Sequence, residues 1–147
     1  MPSFTWSFSN LELEEMCGKK YYHLRVAKDV KDTGNAMSNY GFDAHKHFEN
    51  RLFKDTRLPM DLTHHEKFLA KLQAAPGEGL PEQKLALTRD FEPTGFFDVD
   101  VWVRGIVDYT KINGTHMVVV DHKFGKMKEG FDQIDLMVAM LFAYRPD

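Results

Sequence analysis

The dipeptide Asn113-Gly114 constrains the fold of this chain more than any other feature. Asn-Gly between apolar or alternating runs is the strongest short-range hairpin signal. The run before it is Val101-Trp102-Val103-Arg104-Gly105-Ile106-Val107-Asp108-Tyr109, and the run after it is His116-Met117-Val118-Val119-Val120-Asp121-His122-Lys123. A hairpin between two such strands sets their far ends side by side. Residues two apart share one face of a strand. Asp121 and Lys123 therefore share a face, with Asp108 close by on the partner strand. The apolar run Val118-Val119-Val120 predicts a buried strand, and charges at the end of a buried strand need partners. Converging carboxylates can hold a hard divalent cation through oxygen ligands. An ammonium beside them can steer a water or offset charge building on a phosphate. The plain alternative is a surface hairpin with an Asp121–Lys123 salt bridge.

At 147 residues, with 43% hydrophobic and 28% charged residues, the chain fits one globular domain, 1–147. No apolar run approaches the roughly 20 residues that span a bilayer, so no membrane partner is expected. The N-terminus, Met1 to Phe8, has no basic start and no signal-like apolar core, which predicts a cytoplasmic protein. Cys17 is the one cysteine, which excludes an internal disulfide and a multi-cysteine metal or iron–sulfur site. The net charge of −3 does not suit a protein that coats nucleic acid, but it is compatible with an enzyme whose acidic groups hold cations. Local basic density then matters, and Lys123, Lys126 and Lys128 gather around Gly125.

Patterning predicts a helix from Ser9 to about Lys28, a loop over 29–39, and a second helix over 42–53 opened by Gly41. A third helix is expected over 62–73, then a flexible stretch over 74–81 and a strand over 82–88. The hairpin follows, then a glycine- and lysine-rich loop over 125–130 and a last helix over 131–144.

Five features stand in a fixed order: Gly41-x-x-x-His45 opening a helix, Glu82 starting a strand, Gly105-x-x-Asp108, Asp121-x-Lys123, and Gln133 in the last helix. The chain resembles the PD-(D/E)XK nuclease superfamily, and within it the RecB-like branch. The segment from Trp6 to Tyr22 is similar to the helix that opens many RecB-like domains. The resemblance implies an α/β, restriction-endonuclease-like core, a mixed β-sheet with a central hairpin flanked by helices. It implies that Asp108 and Asp121 bind metal, that Lys123 is the catalytic lysine, and that His45 joins the metal site from its helix. The backbone carbonyl of His122 is implied as a further ligand. Glu82 matches an acidic residue of the preceding strand, and a strand-end charge is an equal reading of it. Gln133 matches the glutamine that helps position DNA.

The chain departs from the family pattern in two places. His122 stands where Tyr, Phe or Trp is more usual, and Met137 takes the place of the tyrosine in the last helix, with Tyr144 two turns later. His47, two residues from His45, lies on a different side of the helix, and the glycine spacing favours His45. The resemblance implies a deoxyribonuclease using Mg²⁺ or Mn²⁺, with exonuclease action favoured over endonuclease action. Lys126, Lys128 and Tyr144 are then further candidates for DNA contact. Such a domain suits a phage, acting in the host cytoplasm, or a repair or recombination pathway. A homo-oligomer or a partner subunit is compatible with it, as is a nuclease-like binding or assembly module without activity of its own.

Overall fold

The hairpin turns at Asn113-Gly114 as the sequence predicts, but its first strand is Tyr109–Asn113 rather than 101–109. A computed structural model describes residues 5–34, 36–124 and 132–146, and of Met37 the backbone alone. The helices are α1 (Phe8–Met16), α2 (Gly18–Tyr21), α3 (Ala36–Lys54), α4 (Glu66–Ala74) and α5 (Asp132–Tyr144). A π-helical turn follows α2 over Tyr22–Val26, and a 3₁₀ segment, Met60–His65, leads into α4. The strands are β1 (Glu78–Leu80), β2 (Gln83–Leu87), β3 (Val103–Val107), β4 (Tyr109–Asn113) and β5 (His116–Val120). This is an α/β chain. Where one mixed sheet was expected, the described strands form a three-stranded sheet in the order β1-β4-β5 and a two-stranded sheet of β2 and β3.

The expected strand 101–109 is two strands, broken by a bend at Asp108. β3 pairs with β2, and β4 pairs antiparallel with β5 from Tyr109↔Val120 to Asn113↔His116. Gly114 takes φ 59° in the connecting turn, a value that L side chains rarely adopt. β5 lies at the edge of its sheet, and Val118 is 55% exposed, so the expectation of a buried strand fails there. The central strand β4 carries the burial instead, through Tyr109, Thr110 and Lys111.

The chain divides into two units. One holds Met1–Gly34, Lys84–Ile106 and Phe131–Asp147; the other holds Asn35–Gln83 and Val107–Gly130. In the first unit, the expected helix over 9–28 is interrupted at Cys17, whose backbone is extended. Ser7, rather than Ser9 or Asn10, is the N-cap of α1, its Oγ accepting the Asn10 N–H at 3.3 Å. Trp6 bridges Val103 in parallel and stacks on Tyr21 at 6.2 Å. The Tyr144 hydroxyl accepts the Ala86 N–H at 3.0 Å and lies within donating distance of the Ala86 and Thr94 carbonyls, at 2.9 and 3.1 Å. It anchors the end of α5. Tyr144→Phe is expected to cost about 2 kcal/mol by stripping the buried Ala86 N–H of its acceptor. A urea unfolding midpoint lowered at constant m would show it.

In the second unit, α3 begins six residues before the predicted start and runs through Gly41, where a Cβ would have open space. Ala44, Phe48 and Leu52, each four apart, turn one face of α3 into a core with Leu58, Leu62, Leu69 and Tyr109. Phe124 and Val120 pack against that core. Arg51 Nε donates to Glu66 Oε1 at 2.8 Å, tying α3 to the start of α4. The stretch expected to be flexible contains β1, paired with β4. Gly77 enters it at φ 108°, where a Cβ would sit 2.2 Å from the Ile112 carbonyl oxygen. The buried Lys111 donates from Nζ to the Gln73 carbonyl at 3.2 Å, placing a cation at the negative end of α4.

Candidate metal centre

The hairpin register builds the site. Tyr109 opposes Val120, so continuing the antiparallel pairing by one residue sets Asp108 opposite Asp121. The bend between β3 and β4 thus places the first carboxylate beside the end of β5. The His122 N–H donates to Asp108 Oδ2 at 2.8 Å, fixing that carboxylate. From α3, His45 Nε2–H donates to the His122 carbonyl at 2.6 Å. The same Nε2 lies 3.5 Å from Asp108 Oδ2. A carboxylate oxygen, an imidazole nitrogen and a backbone carbonyl thereby converge. Next to them Lys123 Nζ pairs with Asp121 Oδ2 at 2.8 Å. The Asp121 side chain is 4% exposed and that of Lys123 is 60% exposed, so a buried carboxylate holds an ammonium that reaches solvent.

Aromatic packing holds these groups. The Phe124 ring lies 5.2 Å from the His45 ring and 5.1 Å from Phe48, and Phe48 meets the His122 ring edge-on at 4.8 Å. The His122 side chain thus points into the core while its backbone faces the site.

Burial dominates the electrostatics. It pushes the Asp108 carboxyl above the usual carboxylate range, against the His122 N–H bond and the His45 charge, which pull it down. Burial also lowers His122 to about 4, assisted by the charge of His45. His65 is lowered by burial and by His64. Asp108 is thus a carboxylate whose charge the protein alone under-compensates.

Among the described residues, no group of three or more His, Cys, Asp or Glu side chains is arranged to hold a metal ion. The convergent set is two side chains and one carbonyl. Cis ligands about 2.1 Å from an octahedral ion lie about 3 Å apart, a value that falls between the 2.6 and 3.5 Å separations observed. Magnesium retains several waters and needs few protein oxygens, so this donor set fits it. Ligation through Nε2 would require the His45 proton on Nδ1 and would give up the Nε2–H bond to the His122 carbonyl.

Glu82 is exposed in the connection between β1 and β2. Its charge acts on Lys46, the neighbour of His45 on α3, whose pKa is raised chiefly by Glu49 and further by Glu82. Gln133 and Tyr144 belong to the other unit. Lys126 and Lys128 lie outside the described residues. Sequence reasoning missed Phe124 and Phe48 as supports of the site. The only signal was the phenylalanine directly after the Asp121-His122-Lys123 triplet. Comparisons of the chain with protein-family models, curated proteins and solved structures found no match.

Proposed function

We propose that the protein is a metal-dependent deoxyribonuclease of the RecB-like PD-(D/E)XK kind with a restriction-endonuclease-like core. One observation carries the reading: Asp108, His45 and the His122 carbonyl converge beside an Asp121–Lys123 pair. A bound Mg²⁺ or Mn²⁺ supplies Lewis acidity toward phosphoryl oxygen and lowers the pKa of water. Asp108, Asp121, His45 Nε2 and the His122 carbonyl would hold the ion, and Glu82 is the outermost acidic candidate. Asp121 also holds Lys123 Nζ, which orients the attacking water and offsets negative charge on the phosphoryl oxygens. Hydrolysis adds water across one phosphodiester P–O bond. Gln133, Lys126 and Lys128 remain candidates for contact with the DNA backbone, and exonuclease action is favoured. A second reading, a nuclease-like module that acts only with a partner or a second copy, draws on the sparse ligand set.

The test is cleavage of linear duplex, linear single-stranded and circular single-stranded DNA with Mn²⁺, with Mg²⁺ and with EDTA. Cutting that needs the metal, and spares the circle if ends are required, is the expected result. Cutting that persists in EDTA, or no cutting of any substrate, contradicts the reading.

A further inference from the structure

Phe42 is 74% exposed and Phe68 is 47% exposed, the first on α3, which also carries His45, and the second on α4. Phe42 lies on α3 three residues before His45, on the same flank of the helix. The inward face of α3 is made by Ala44, Phe48 and Leu52, so the fold gains little from a phenyl ring at 42. The Phe68 ring on α4 lies 6.4 Å from that of His122, edge-on. Charged residues adjoin both rings in the chain, since Asp43 and Lys46 are exposed near Phe42 and Lys67 and Lys71 near Phe68. Isolated rings among charges do not suit a dry protein interface, whose core is contiguous and depleted in charge. They suit stacking partners spaced along a charged strand.

We propose that Phe42 and Phe68 are stacking platforms for unpaired bases, so that the centre takes single-stranded DNA. The proposal rests on the nuclease reading above and names its substrate class. In a duplex both faces of an interior base are covered by its neighbours, whereas an unpaired base can offer a face to a ring. A phosphate at the His45–Asp108 centre brings the adjoining nucleotides next to α3 and α4. Stacking on phenyl rings reads no hydrogen-bonding edge, so binding tolerates any base sequence.

The experiment compares wild type, Phe42→Ala, Phe42→Trp and Phe68→Ala. The ligands are a labelled oligothymidylate of about 12 nucleotides and an abasic strand of the same length, read by fluorescence anisotropy without cutting and by KM and kcat with Mn²⁺. Phe42→Ala is expected to weaken oligothymidylate binding roughly 5- to 50-fold, chiefly through KM, with Phe68→Ala acting in the same direction. Phe42→Trp restores binding, and the abasic strand is bound equally by all four proteins. Equal binding of oligothymidylate by wild type and Phe42→Ala overturns the proposal, as does equal loss on the abasic strand. Absence of metal-dependent cutting by wild type instead fails the nuclease reading, and the anisotropy comparison still decides whether bases stack on Phe42.

Discussion

Replacing Asp108 by Asn is expected to lower metal-dependent cleavage roughly 1,000-fold or more while leaving the protein folded and, at neutral pH, at least as stable. The metal is worth several kcal/mol of transition-state stabilisation, and each factor of ten in rate is about 1.4 kcal/mol. Both halves of the expectation come from one environment. Burial raises the Asp108 pKa, so its ionised form is disfavoured in the folded chain. Relative to a neutral side chain, ionisation of Asp108 costs stability as pH rises through its folded pKa, and the cost vanishes below the ordinary carboxylate range. An amide oxygen can still accept the His122 N–H that Asp108 accepts at 2.8 Å. Single-turnover cleavage with Mn²⁺, alongside urea unfolding of the metal-free proteins at pH 7, measures both. A variant that cuts as well as wild type contradicts the site, and one that unfolds contradicts the electrostatic argument.

The second large effect is a pH dependence that resides in His122. Its folded pKa is depressed to about 4 because the ring is buried against Phe48, whereas an unfolded chain titrates near 6.5. Between those values the unfolded state binds a proton that the folded state refuses. Stability from this group is therefore complete above about pH 6.5 and is lost as pH falls toward 4, by roughly 3 kcal/mol in all. His122→Phe is expected to remove that slope. A phenyl ring fits among Phe48 and Phe68, and the backbone N–H and carbonyl that meet Asp108 and His45 are kept. Chemical unfolding from pH 7 to pH 4.5 shows the difference between the two proteins directly. Equal slopes would mean that the ring is solvated in the folded state. Asp108 acts with opposite sign in the acid range, so the comparison between variants, rather than either curve alone, isolates His122.

The hairpin was legible because Asn113-Gly114 states its turn locally, but its partner strand was not. The apolar run ends at the Asp108 bend, and the strand after it, Tyr109-Thr110-Lys111-Ile112-Asn113, is mostly polar yet central and buried, so apolarity does not mark it. The aspartates converge all the same, because the register of β4 with β5 carries Asp108 to the position that a longer strand would have given it. β1 escaped notice because three residues hold no periodicity, and Gly77 reads as a loop until its approach to Ile112 is seen. The early start of α3 was hidden by Gly41, which a long helix tolerates at about 1 kcal/mol. His45 was placed by its spacing from that glycine, whereas its Phe124 support follows only from packing. The hydrogen bonds of the Tyr144 hydroxyl to the backbone of β2 likewise follow only from packing.

The central claim is that Asp108, His45 and the His122 carbonyl form one metal centre, and Mn²⁺ binding tests it most directly. Electron paramagnetic resonance of free Mn²⁺ would be followed as wild type, Asp108→Asn and His45→Ala are titrated in. The account predicts a single site in wild type, weakened at least about tenfold in each variant, with the fold intact by circular dichroism. Equal Mn²⁺ binding by all three proteins, or none by wild type, would contradict it.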